Sequence, residues 1–205
     1  MNRQSIVTLT VAATCAALLS GCNGEHGTAT PAPTSSATTP GSDVPNNGAP
    51  AVANPLPDQV LAGSPCDTAL TATQVSDFLG DTGPGKTEDA ELGPLCQWDS
   101  TSGSGAGLTV GYDTKSDQGL SLAYKNTKPK SSLWKELSPV QEYPAIAYGD
   151  TSDKRLCNVV VGVTDKLTYG VTLILGDRAA ADGKDACEIS RSVADLVLTN
   201  LKARA

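Results

Sequence analysis

The sequence predicts an α+β domain in which an antiparallel sheet of about five to six strands carries helices on one face. Three observations lead to this class. A pattern near the C-terminus has the period of an amphipathic helix, strand-like segments separated by turns fill the middle of the chain, and four cysteines are spread through residues 63–205. The order of elements is roughly helix, two strands, helix, several strands and a final helix.

Two helices carry the clearest end signals. Thr71 and Gln74 have the spacing of a capping box, and Gly80 is a natural stop. A weaker cap at Asp185 precedes apolar residues at helical spacing, which predicts a C-terminal helix near residues 185–203. A shorter helix is expected within residues 117–126.

Six segments between these helices have the composition of β-strands and are separated by Gly-, Pro- or Asp-containing turns. The predicted strands cover residues 95–100, 107–112, 134–141, 145–148, 156–163 and 166–175. The first two and the last two are close enough in sequence to form hairpins.

The first 22 residues have the pattern of a bacterial lipoprotein signal peptide. Residues 6–19 form an apolar run, which is shorter than the ~20 residues of a membrane-spanning helix. The sequence that ends in Gly21-Cys22 resembles the lipobox, which implies cleavage between Gly21 and Cys22 and a diacylglyceryl group on Cys22. We therefore expect residues 1–21 to be removed and the mature chain to be lipid-anchored, extracytoplasmically, on the outer face of the cytoplasmic membrane. An ordinary signal peptide is the alternative.

Residues 22–62 have the composition of a tether between the anchor and the domain. Thr, Ser, Pro, Ala, Gly and Asn dominate, and bulky apolar residues are nearly absent before Leu56. Such a segment buries too little apolar surface to offset the entropy of ordering, which predicts disorder. The only histidine, His26, lies in this segment and is interpreted as a solvated linker residue.

Composition excludes several functional classes. The formal net charge is −7, which is opposite to that expected for a nucleic-acid-binding domain. A Ser-His-Asp or Cys-His catalytic unit has no histidine to use within residues 63–205. No cofactor, bound metal or nucleic acid is therefore expected, and we predict a monomer that contacts the membrane through its lipid.

Cys66, Cys96, Cys157 and Cys187 are expected to form disulfides, because an even number of cysteines in an exported domain is typical of such bonds. Three pairings are possible. We favour Cys66–Cys96 with Cys157–Cys187, because each bond then closes a loop of similar size. A tetrathiolate zinc site is the alternative, although the spacing lacks a Cys-x-x-Cys pair.

The chain resembles a family of actinobacterial lipoproteins catalogued as domain of unknown function 3558. The resemblance rests on Pro65-Cys66 with the helix that follows, on Cys96-Gln97-Trp98, on the lipobox, and on the late Cys157 strand and Cys187 helix. It implies an exported, diacylated envelope protein with two disulfides. It implies no catalytic residue, because the molecular function of the family is not established.

Three groups of side chains are candidate functional residues. Acidic residues cluster at Glu88, Asp89 and Glu91 and again at Asp150 and Asp153, where solvated loop charge is the expected role. The basic residues of the second group alternate with aromatic ones; they are Lys125, Lys128, Lys130 and Lys135, beside Tyr124 and Trp134. The third is Trp98, which is expected to pack on the first disulfide.

The leading functional hypothesis is a non-enzymatic domain that binds an envelope ligand or protein. A cavity lined by apolar side chains between sheet and helices would indicate a small-molecule or lipid ligand. The alternatives are an envelope hydrolase that uses acidic residues, and a purely structural, wall-facing lipoprotein.

Overall fold

The computed structural model describes residues 43–205. Residues 1–21, the cleavage site at Gly21-Cys22 and the tether up to residue 42 lie outside the described residues. The described chain contains a seven-stranded antiparallel sheet, five α-helices and two short 3₁₀ helices. This confirms the α+β class and the C-terminal helix, whereas the predicted count of five to six strands is too low.

The strands are all antiparallel to their neighbours. They are β1 (Lys86–Asp89), β2 (Pro94–Asp99), β3 (Gly107–Asp113), β4 (Leu133–Val140), β5 (Tyr143–Gly149), β6 (Leu156–Gly162) and β7 (Thr168–Ile174). Their order across the sheet is β1-β2-β3-β7-β6-β5-β4. The strand that the sequence did not predict is β1. All four of its residues are exposed at the sheet edge, so it has no apolar alternation to reveal it.

The α-helices of the described residues are α1 (Pro65–Thr68), α2 (Ala72–Leu79), α3 (Leu120–Asn126), α4 (Asp177–Ala181) and α5 (Ala186–Lys202), with 3₁₀ helices at Asp58–Leu61 and Lys128–Lys130. The two helices with predicted caps, α2 and α5, begin directly after those caps. Thr71 and Gln74 form a reciprocal capping box at the start of α2. The carboxylate of Asp185 accepts hydrogen bonds from the N–H groups of Cys187 and Glu188 at the start of α5.

One face of the sheet, here called the first face, carries α1, α2 and α5. Cys157 and Val159 of β6 point to this face and are fully buried. The hydroxyl of Ser190 on α5 donates to the carbonyl of Cys157 at 3.0 Å. The amide of Asn200, also on α5, donates to Gln74 on α2. The main core therefore lies between the first face and these three helices.

The opposite face, here called the second face, carries α3. Leu120 and Tyr124 of α3 pack with Ile146 of β5 and Val160 of β6, whose side chains point away from α5. The prediction that helices cover only one face is therefore wrong. A strand that is buried on both faces has a continuous run of apolar residues instead of an alternating pattern. Residues 145–147 and 159–161 are such runs.

Residues 43–62 pack on the domain. The predicted disorder of residues 22–62 is therefore wrong for this part of the segment. The N–H of Val52 donates to the carboxylate of Asp165 at 2.8 Å, and that of Leu56 donates to the carbonyl of Val163 at 2.9 Å. Val60 and Leu61 are buried in the main core. A few apolar residues suffice here because the backbone N–H groups find acceptors in the turn between β6 and β7.

Tyr169 connects the sheet to α5 and should make stability sensitive to alkaline pH. Its side chain is fully buried, and its hydroxyl donates to the carbonyl of Ala194 at 2.8 Å. Burial, followed by the negative charge of Asp195, raises the pKa of Tyr169 well above its usual value near 10. A pKa raised by folding contributes stability that is complete below the unfolded pKa and is lost as pH rises through the folded one.

We therefore expect the free energy of unfolding to fall above about pH 10, and to fall less steeply in Tyr169→Phe. The difference in slope should approach ~1.4 kcal/mol per pH unit for this one group. At neutral pH the variant should lose about 0.5–1.5 kcal/mol with its hydrogen bond. Urea unfolding at several pH values measures both quantities, and an unchanged alkaline slope would contradict the assignment.

Candidate functional site

An open groove lies on the second face beside α3. Its floor is formed by β3, β7 and β6, one wall by Leu122, Ala123 and Thr127 on the α3 side, and the other by the 90–95 segment that joins β1 to β2. The cavity volume is about 400 Å³, which is within the range of small-molecule sites. We call this feature the second-face groove.

Two glycines without side chains lie in the middle of the groove floor. Gly111 of β3 and Gly170 of β7 are directly paired across the two central strands. A Cβ at Gly170 would lie 3.8 Å from Val160, and one at Gly111 would lie 3.6 Å from Leu95, which are ordinary contacts. Neither backbone has a positive φ. These glycines are therefore not required by backbone conformation or close packing, and their effect is to leave the groove open.

The strand register places polar pairs on either side of the glycine pair. Asp113 is paired with Thr168 at one end, and Thr109 with Thr172 at the other. Both carboxylate oxygens of Asp113 accept hydrogen bonds from Ser116. From Asp113 to Thr109 the floor extends four residues along β3, which corresponds to about 14 Å.

Hydroxyl groups make up most of the remaining polar lining. Thr168 is only 4% exposed and lines one end of the floor. Thr172 lies at the other end, and its hydroxyl donates to Asn158 at 2.7 Å. Tyr148 also lines the groove, and burial raises the pKa of its phenol. Neutral hydroxyls are therefore available to a bound molecule.

Backbone contacts fix both walls of the groove. At the start of α3, the N–H of Gly119 donates to the carbonyl of Lys166, and a side chain at Gly119 would collide with the carbonyl of Asp165. Its φ of 52° also favours glycine. In the opposite wall, the carbonyl of Leu92 accepts from the N–H groups of Thr114 and Lys115. These backbone hydrogen bonds thus fix the distance between the two walls of the groove.

The predicted basic and aromatic cluster lies at the far end of α3. Tyr124 and Trp134 meet edge to face with centroids 5.2 Å apart, and Lys128 lies 4.7 Å from the Tyr124 ring. Lys128 also pairs with Glu136 at 3.1 Å, which lowers the pKa of that carboxyl. Burial and the neighbouring Glu136 raise the pKa of Tyr124 to about 12. These contacts occupy Lys128, while the other three predicted lysines, Lys125, Lys130 and Lys135, are exposed.

The acidic residues of the two predicted clusters make different contacts. Asp89 forms an exposed ion pair with Lys115, and Glu91 lies in the groove wall. Asp150 accepts hydrogen bonds from Ser132 and Ser152, which lower the pKa of its carboxyl. Two further residues complete the set: Glu88 is exposed on β1, and Asp153 accepts from the N–H of Arg155. Within residues 43–205, no group of three or more candidate ligands is arranged to hold a metal ion.

The four domain cysteines form the favoured pairs. Cys66 is bonded to Cys96 and Cys157 to Cys187, each with Cα atoms 5.0 Å apart. The first bond joins α1 to β2, and the second joins β6 to the start of α5. Trp98 is 6% exposed and points to the first face, where Gly85 packs against both its ring and the sulfur of Cys96. Trp98 is therefore part of the core.

Sequence reasoning missed the residues that form the groove. Gly111, Gly170, Asp113 and Thr168 belong to strands that are far apart in sequence, and only their register brings them together. The available signal was a central glycine in each of two strands that otherwise have strong β-forming composition. Of the earlier candidates, only Glu91 lines the groove.

None of the helices in residues 43–205 combines the length and apolar character needed to cross a membrane. The described part of the chain is thus a disulfide-bonded α+β domain with a groove on one face, whose floor contains two paired glycines and whose charged lining residues are Glu91 and Asp113. The model of a family described as "Protein of unknown function (DUF3558)" matches residues 17–200, and the chain belongs to this family. No curated protein and no solved structure matches the chain.

Proposed function

We propose that the chain is an extracytoplasmic lipoprotein, anchored to the membrane through Cys22, whose domain binds a small and largely apolar ligand in the second-face groove. The observation that carries the binding role is the paired glycine floor. A glycine inside a strand costs about 0.5–1 kcal/mol relative to alanine. Two of them at directly paired positions, with no conformational need for either, indicate a surface that something else must approach closely.

The dimensions of the groove support a small molecule rather than a protein partner. A cavity of ~150 Å³ holds benzene, so about 400 Å³ accommodates a ligand of two or three rings or a short alkyl chain. Fixed walls reduce the entropy that is lost when the ligand binds. The test is saturable binding of the neutral fluorophore N-phenyl-1-naphthylamine to the wild-type protein, and its loss when the groove is filled at Gly170.

Replacement of Cys22 by alanine tests the anchor. The lipid-modified thiol is then absent, so Cys22→Ala should move the protein from the membrane fraction to the soluble fraction. Immunoblotting of fractionated cells measures the change, and Cys15→Ala is the matched control, because Cys15 precedes the proposed cleavage site. Continued membrane association of Cys22→Ala would refute the lipid anchor.

A further inference from the structure

We infer that the second-face groove selects against anionic ligands and takes an uncharged amphiphile, with its polar end at Asp113 and Thr168 and its apolar part over the paired glycines. This inference rests on the proposed function and adds the chemical class of the ligand. It follows from the charge of the groove, from the Thr168 hydroxyl that lines it and from its shape.

The charged side chains that line the groove are all acidic. Glu91 and Asp113 are among the lining residues, and no lysine or arginine is. Asp113 is 7% exposed, and Ser116 is the side chain that donates to it. An anionic head group at this end would meet the largely desolvated carboxylate of Asp113, which is unfavourable in a medium of low effective dielectric constant.

A hydrogen-bonding site for an uncharged head group lies beside this carboxylate. Thr168 is directly paired with Asp113 across the sheet and also lines the groove. A hydroxyl can donate or accept, and the carboxylate of Asp113 has lone pairs beyond those used by Ser116. A ligand alcohol therefore finds both an acceptor and a donor at this end of the groove.

Apolar groups line the centre of the groove. Leu95, Leu122, Ala123 and Val160 surround the glycine pair. The floor is about 14 Å long, measured along β3. A single alkyl chain lying along the strands would cover the glycines while its hydroxyl reached Asp113.

The test compares two amphiphiles of equal chain length as competitors for N-phenyl-1-naphthylamine on the full-length protein at pH 7. Decanol should displace the fluorophore at a concentration at least about tenfold lower than decanoate, because only decanoate places a negative charge near Asp113. Asp113→Asn should bring the two concentrations closer together. Glu188→Gln, which removes one acidic charge from the exposed side of α5, is the matched control and should leave the ratio unchanged.

The possible failures are distinguishable. If decanoate displaces the fluorophore as well as decanol does, the selection against anions is wrong, while ligand binding in the groove stands. If the fluorophore does not bind, or binds equally well when the groove is filled at Gly170, the proposed function is itself wrong. The comparison in the wild-type protein decides the charge preference even if Asp113→Asn does not fold.

Discussion

Gly170→Val should weaken binding of N-phenyl-1-naphthylamine at least about tenfold, a loss of ~1.4 kcal/mol or more, while leaving the domain folded. Gly170 lies in the middle of the groove floor, and the new side chain would project into the space above the sheet. Its Cβ would lie 3.8 Å from Val160, an ordinary contact. The substituted valine would thus occupy the volume that the ligand needs without disturbing the core.

The same substitution should preserve or increase stability. Valine is favoured in strands and glycine is not, so the free energy of unfolding should be unchanged or higher by up to about 1 kcal/mol. Most substitutions of a central strand residue destabilise. A gain in stability together with a loss of binding would show that Gly170 serves ligand binding and is not needed for the stability of the sheet.

A matched pair of alanine substitutions provides the control. Gly107 lies on the second face, four residues from Gly111 along β3 and outside the groove, and a Cβ there would have contacts of 3.6 Å or longer. Gly107→Ala should leave the fluorophore affinity unchanged, whereas Gly170→Ala should reduce it. Gly111→Val fills the same floor from the neighbouring strand and should reproduce the effect of Gly170→Val. Equal affinity in all four variants would place the binding site elsewhere.

The parts of this fold that were predictable from sequence are those set by local signals. The capping box at Thr71 and the cap at Asp185 fixed where α2 and α5 begin, because their hydrogen bonds involve residues only two or three positions away. The disulfide pairs also agreed with prediction, although that prediction rested on the similar sizes of the two closed loops rather than on neighbouring residues.

The groove was not predictable because it depends on register and on which face each element covers. α3 has only seven residues, too few for its pattern to indicate the face on which it packs. Gly111 and Gly170 are 59 positions apart in sequence and are paired only in the assembled sheet. Val52 and Leu56 were likewise missed, since their acceptors lie in the distant β6–β7 turn. Composition alone assigned that segment to the tether.

Removal of both disulfides should lower the free energy of unfolding by about 6–8 kcal/mol, since each bond is expected to contribute ~3–4 kcal/mol in the chain-entropy model. Each bond closes a loop with a sequence separation of 30, and the two loops do not overlap. Their effects on the unfolded chain should therefore add. Because domains are stable by only about 5–15 kcal/mol, the variant with all four cysteines replaced by alanine should be marginally folded or unfolded.

The two single-bond variants should lose similar global stability but differ in where the structure opens. The Cys66–Cys96 bond holds α1, a helix of four residues with a single buried member. The Cys157–Cys187 bond joins β6 to α5, which buries seven residues of its own and should stay docked. Hydrogen exchange should therefore accelerate in α1 and α2 for Cys66→Ala/Cys96→Ala, while α5 stays protected in Cys157→Ala/Cys187→Ala. Urea midpoints equal to that of the wild type, or faster exchange in α5 than in α1, would contradict this account, in which the disulfide matters most where the core is smallest.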